Sequence, residues 1–264
     1  SFKEVGISYL AKLPEDELAD IIRYSTKLYH NDKPVLTDVE YDILKEYAER
    51  EYPNHPVHDE IGAPLSKATR NKTALPYKMF SMNKIKPDTS ALSTWKAKFN
   101  GPYVVSCKLD GVSGLYSTEN GEQKLYTRGN GIVGQDVSNL IKHLNLPSNK
   151  DIVIRGEFII PKSIHIKKYP GMNARTIVSG IINSKKQVVS KYKEMDFVVY
   201  ELIKPHLKPS EQFKYLQTIN ANVVKFNETD DISNDHLSQL LQTWRKDSTY
   251  DIDGVIVTDD NKHP

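Results

Sequence analysis

Leu18, Ile21, Ile22, Ser25, Leu28 and Tyr29 recur every three or four residues behind Pro14-Glu15-Asp16-Glu17. That spacing predicts an amphipathic helix with proline in its first turn and acids at its positive end. Asn31-Asp32-Lys33-Pro34 interrupts the pattern, and Thr37 with Glu40 predicts a capping box opening a second helix. Tyr41, Leu44, Ala48 and Tyr52 recur along that helix until Pro53. The stretch from Pro53 to about Lys78 is rich in Pro, His, Lys and Thr, and predicts a surface linker able to act as a hinge.

From about Met79 the period changes to short β-rich runs: Val104–Cys107, Leu115–Ser117, Lys124–Thr127, Ile152–Ile160, Phe197–Leu202 and Gly254–Thr258. Glu119-Asn120-Gly121-Glu122 reads as a hairpin turn between two of them. Helices are expected over Ser90–Phe99 and Asp235–Lys246, the latter with Leu237, Leu240, Leu241 and Trp244 on one face. Strands and helices mixed without regular alternation predict an α+β fold of antiparallel sheets. The chain is expected to divide into a small all-helical domain with its linker, residues 1–72, and a larger domain, residues 73–264.

With 38% apolar and 27% charged residues over 264 positions, the composition is that of a globular protein with room for a substantial core. No apolar run approaches membrane-spanning length, so no membrane partner is expected, and Ser1-Phe2-Lys3-Glu4 does not begin a signal peptide. The single cysteine, Cys107, excludes an internal disulfide and a cysteine-rich zinc site. A reducing intracellular compartment is expected, whether cytoplasm, nucleoid or viral factory. The net charge of +2 conceals an asymmetry, because residues 1–60 hold 7 Lys+Arg against 14 Asp+Glu. Between Phe158 and Lys193 there are eight basic residues and no acidic one, either a footprint for a phosphate backbone or an ordinary solvated face.

Cys107-Lys108-Leu109-Asp110-Gly111 places a lysine at the end of the apolar run Tyr103-Val104-Val105-Ser106. An ammonium emerging there is expected to be partly desolvated, which frees the amine as a nucleophile; the bland alternative is a surface lysine beside a turn. Asp110 shares its face of the extended chain and can orient the amine or a metal-bound phosphate. Asp38, Tyr41 and Asp42 share one helical face, near Tyr29 and His30. Aromatic rings and carboxylates together suit a flat cationic ring, although Tyr29 and Tyr41 equally fit half-buried core positions. Arg128 precedes Gly129 on a loop able to approach a nucleotide closely. Glu157, in a strand-like run, needs a donor such as a ribose hydroxyl, or a pairing with Arg155 or Arg175.

Thr127-Arg128-Gly129-Asn130-Gly131, Ile154-Arg155-Gly156-Glu157 and Tyr250-Asp251-Ile252-Asp253-Gly254-Val255-Ile256-Val257 follow the lysine in order. Together they resemble the motifs of covalent nucleotidyltransferases. Leu28-Tyr29-His30 and Asp38-Val39-Glu40-Tyr41-Asp42 make the likeness closest to the NAD-dependent DNA ligases, over about Leu28 to Val257. The resemblance implies the nucleotidyltransferase (ligase adenylation) fold, with two antiparallel sheets flanking a nucleotide cleft. It implies that Lys108 attacks the α-phosphorus of NAD and becomes a lysyl-AMP. It places Arg128 and Glu157 on the AMP ribose, and Asp110 and Asp253 near phosphate or metal. Ser81 and Met82 would lie against the adenylate pocket, with Ser106 and Arg175 among the nucleotide contacts. Tyr29, His30, Asp38, Tyr41 and Asp42 would recognise the nicotinamide mononucleotide half.

The resemblance further implies Mg2+, whose protein ligands the spacing leaves unknown, and nicked double-stranded DNA as partner. It also implies OB-fold, zinc and helix-hairpin-helix segments, either beyond residue 264 or on a separate subunit. Against the family pattern, Ser106 replaces a glutamate, Thr258 a lysine, Asn183 a basic residue and Gln135 an acid. A neutral hydroxyl at Thr258 cannot neutralise a phosphate, leaving that task to Lys262 or a later residue. Two other readings stand beside the leading one. One is an ATP-dependent RNA ligase or capping-type nucleotidyltransferase, and the other a catalytically weak nucleotide- or nucleic-acid-binding relative.

Overall fold

Thr37 Oγ1 accepts from the Glu40 backbone N–H at 3.2 Å, and Glu40 Oε2 accepts from the Thr37 N–H at 2.7 Å, closing the expected capping box. The computed structural model describes residues 6–30, 36–58, 71–86, 90–184 and 186–261. The side chains of Tyr29, His30 and Asp38, residues 31–35, residues 59–70 of the expected hinge and Lys262 lie outside the described residues.

In chain order the helices are α1 (Ile7–Leu10), α2 (Glu15–His30), α3 (Asp38–Glu51), α4 (Ala91–Lys98), α5 (Lys162–Lys168), α6 (Ala174–Ile182), α7 (Val189–Tyr192), α8 (Pro209–Thr218) and α9 (Asn234–Asp247). The strands are β1 (Lys72–Ala74), β2 (Tyr103–Leu109), β3 (Val112–Ser117), β4 (Lys124–Thr127), β5 (Val133–Gln135), β6 (Val153–Ile159), β7 (Asp196–Lys204), β8 (Phe226–Thr229) and β9 (Ile252–Asp259). All three sheets are antiparallel, as the sequence predicts.

The chain forms two compact units, residues 1–82 with 128–136, and residues 83–127 with 137–264. A single cut after residue 72 does not describe this grouping. The β1–β5 ladder, with Lys72 opposite Gln135 and Ala74 opposite Val133, ties residues 128–136 to the first unit. In that unit Leu10, Leu18, Ala19, Ile22, Leu44, Ala48 and Val57 form a small buried core between the helices. Each such side chain contributes roughly 1.5–3 kcal/mol when fully buried, less for alanine.

The second unit holds a three-stranded sheet, β8-β2-β9, and a four-stranded sheet, β4-β3-β6-β7. Strand β2 is central in the smaller sheet and almost continuously buried, so it carries apolar residues on both faces. Leu92, Trp95, Phe99, Leu237, Leu240 and Leu241 of α4 and α9 and their flanks pack against its cluster. The expected hairpin joins β3 to β4, and Asn120 and Gly121 take the positive φ of 55° and 75° that this turn needs. Helix α6 was not anticipated. Ala174, Ile177, Val178 and Ile181 bury at helical spacing, and the Asn173 side chain caps its start by accepting from the Arg175 and Thr176 N–H groups.

Candidate active site

Between β2 and β9 the register runs regularly from Tyr103 opposite Asp259 to Lys108 opposite Gly254, then jumps so that Leu109 faces Ile252. Asp253 is the extra residue in this bulge, a device that re-aims a side chain at a sheet's end. Its Oδ2 lies 3.1 Å from Lys108 Nζ. The Lys108 side chain is 38% exposed and that of Asp253 50%. The lysine leaves the apolar strand at its last residues, where the ladder opens to solvent. Directly opposed residues share a face, so Ser106 (opposite Ile256) and Thr258 (opposite Val104) lie on the same face as Lys108. Ser106 is buried within the strand.

Asp110 follows on the turn, its N–H donating to the Asp251 carbonyl at 3.2 Å. Burial first, then the neighbouring carboxylate of Asp253, pushes Asp110 above the ordinary range, against the pull of Arg175, with Asp251 adding to the push and Lys108 to the pull. Gly111 is forced by close approach: a Cβ there would sit 2.1 Å from the Phe158 carbonyl oxygen. Arg175, at the start of α6, donates from Nε to the Gly111 carbonyl at 3.0 Å and so fixes the loop after the lysine.

Glu157 is 6% exposed, and both its oxygens are engaged inside the protein. Oε1 accepts from the Gly111 N–H at 3.1 Å, and Oε2 from the Ser113 hydroxyl at 2.8 Å. Arg155, the other expected partner, pairs instead with Glu201 at 2.7 Å. Burial pushes the Glu157 carboxyl up to about 7, held there against the Ser113 and Gly111 hydrogen bonds and the charges of Arg175 and Lys108. Ser113, on β3, and Tyr200, on β7, were missed in the sequence, where only the period-2 alternation across facing strands marks them. His165 was also missed. Its Nδ1 lies 3.0 Å from Asp251 Oδ2 and its Nε2 2.5 Å from the Met172 carbonyl.

In the first unit, Arg128 forms a bidentate pair with Asp42, NH1 to Oδ2 at 2.6 Å and NH2 to Oδ1 at 2.8 Å. Its Nε donates to the Met79 carbonyl at 2.9 Å, and NH2 also reaches Ser81 Oγ at 3.0 Å. The ribose and nicotinamide roles expected of Arg128 and Asp42 meet here in one ion pair, with side chains 18% and 21% exposed. Tyr41 does not offer an open aromatic face. It is 5% exposed and its hydroxyl lies 2.8 Å from Thr26 Oγ1, which is the core position that helical spacing equally allowed. Met82 is exposed beside Ser81. Among the described residues no group of three or more His, Cys, Asp or Glu side chains is placed to hold a metal ion, and no helix is long and apolar enough to cross a membrane.

Comparison with known proteins gives a consistent result. The family model for the NAD-dependent DNA ligase adenylation domain matches residues 70–263. A DNA ligase of Acanthamoeba polyphaga mimivirus is 39% identical over 96% of this chain and 41% of its own length. A putative DNA ligase of Invertebrate iridescent virus 6 is 34% identical over 97% of this chain and 41% of its own, and a DNA ligase of Brachyspira hyodysenteriae 27% over 96% and 43%. The chain spans about two-fifths of the length of these curated relatives.

Proposed function

The chain belongs to the family of NAD-dependent DNA ligase adenylation domains, and from that premise we propose that it transfers the AMP of NAD to Lys108, the first step in sealing nicks in duplex DNA. The observation that carries this reading is the Lys108–Asp253 pair at 3.1 Å, made by the bulge in β9. The ammonium passes one proton to Asp253 and becomes a nucleophile. Its nitrogen then bonds the α-phosphorus as the bond from that phosphorus to the bridging oxygen breaks. Nicotinamide mononucleotide leaves with that electron pair, and the new phosphoramidate sheds its second proton to solvent.

Asp110 and Asp253 are the hard oxygen donors on the same loops, and they suit Mg2+, which takes one or two carboxylates and draws its other ligands from phosphates and water. When bound, the ion would neutralise phosphate charge. Arg175 and Glu157 hold the loop at Gly111 from its two peptide groups, which keeps Asp110 and the lysine in register. Asp42, with Tyr29, His30 and Asp38, is assigned to the cationic nicotinamide half, attracted by carboxylate charge. Lys162, Lys167, Lys186, Lys191 and Lys193, on and beside α5 and α7, give a duplex backbone its basic counterpart. The single cysteine and the viral and bacterial relatives support a reducing intracellular setting.

The test is to incubate the chain and Mg2+ with NAD, ATP or GTP separately and weigh the intact protein. An AMP adduct from NAD, lost in Lys108→Ala, is expected. An adduct from ATP instead moves the protein to the ATP-using class, and no adduct from any nucleotide rejects the reading.

A further inference from the structure

Glu157 is a buried carboxylate whose position depends on groups that the proposed chemistry does not name. Its Oε1 is fixed by the Gly111 N–H, part of the loop that carries Asp110, and its Oε2 by the Ser113 hydroxyl at 2.8 Å. Ser113 lies directly opposite Glu157 in the β3–β6 ladder, and Val198, two residues before Tyr200, lies opposite Glu157 on its other side. A serine hydroxyl has one proton. That proton goes to an ionised Glu157 on Oε2, while the Gly111 N–H holds Oε1, so the two bonds together set the plane of the carboxylate. When Glu157 is protonated on Oε2 the bond to Ser113 reverses, since Oε1 stays occupied by a backbone donor.

We propose that Ser113 is the positioning residue that fixes the plane of the Glu157 carboxylate against the Gly111 loop. This deepens the adenylation reading and rests on it only for the consequence on catalysis. Charged groups facing Glu157 are Arg175 from α6 and Lys108 from β2, and both favour the anion. Tyr200 from β7 is itself pushed upward by burial and by Glu157, so it stays neutral. Burial opposes the cations, and the Ser113 hydroxyl, donating at 2.8 Å, acts on the same side as they do.

The test uses the full chain labelled with 13C at the glutamate carboxyl carbon, with the Glu157 signal assigned by its absence in Glu157→Gln. The titration midpoint is expected to rise by about one pH unit in Ser113→Ala. It should return towards the starting value in Ser113→Thr, which keeps a hydroxyl on a strand. The acid limb of adduct formation from NAD should move upward in parallel. A Ser113→Ala midpoint equal to the unsubstituted protein's overturns the proposal, as does a shift that Ser113→Thr fails to restore. If no nucleotide modifies the protein, the adenylation reading fails while the titration still decides the role of Ser113.

Discussion

Asp253 is the bulged residue of β9, and its carboxylate lies 3.1 Å from Lys108 Nζ. With both side chains well exposed, such a pair adds at most about 1 kcal/mol to stability. Its placement matters for proton transfer and alignment instead, where loss of a positioned acceptor costs about 100-fold or more. Asp253→Asn is therefore expected to leave urea-induced unfolding almost unchanged while slowing adduct formation from NAD by about 100-fold or more. A quenched time course analysed by mass, beside the unfolding curve, checks both halves.

Glu157 has the opposite profile, since its burial makes charge costly. With its pKa raised from 4.5 to about 7, the folded protein holds a proton that the unfolded chain has released across that window. Stability therefore falls as pH rises from about 4.5 through 7, and the full penalty remains above it. Glu157→Gln removes the penalty and keeps an amide able to meet Gly111 and Ser113. It is expected to gain up to about 3 kcal/mol over the unsubstituted protein at pH 8 and almost nothing near pH 4. Equal differences at the two pH values in chemical denaturation would contradict this.

The Asp42–Arg128 pair is mostly shielded from water and doubly bonded. Removing either partner leaves a partly buried charge unanswered, at a cost of about 1–3 kcal/mol. Removing both should cost clearly less than the two single losses combined, by about 1 kcal/mol or more. A double-mutant cycle with Asp42→Ala and Arg128→Ala, read by denaturant unfolding, measures that coupling; additive losses would mean the two side chains act independently.

Gly111 has no room for a methyl group. Because the obstructing atom is the Phe158 backbone carbonyl, the strand or the loop must move. Gly111→Ala is expected to cost about 1–3 kcal/mol and to break the Glu157 and Arg175 contacts on either side. A thermal unfolding scan and the adduct assay should fall together; an unshifted midpoint would show that the loop yields freely.

Much of this architecture was legible because local chemistry and tertiary packing agree. Thr37 and Glu40 cap α3, Asn120-Gly121 turns the β3–β4 hairpin, and the apolar run at Tyr103–Cys107 becomes the buried central strand. The site residues of the second unit could be picked out, but not their partners. Lys108 can be placed at the end of its apolar strand, but the bulge that brings Asp253 to it is announced by no residue pattern. Tyr41 fits a cofactor face and a core position equally by helical spacing, and packing against the Thr26 region decides for the core. Arg128 reaches Asp42 86 residues away and Met79 and Ser81 49 and 47 away, and the partners of Glu157 are 44 and 46 residues distant, all beyond the reach of local patterns. Helix α6 carries its helical stripe, Ala174, Ile177, Val178 and Ile181, inside a segment whose most visible sequence feature is its basic charge.

The central claim is that one amine, that of Lys108, accepts AMP from NAD. Peptide mapping by mass spectrometry after incubation with NAD and Mg2+ tests it most directly. The account predicts an AMP increment confined to the peptide bearing Lys108. An increment on another residue, or an unmodified Lys108 peptide in protein that ATP does modify, would contradict it.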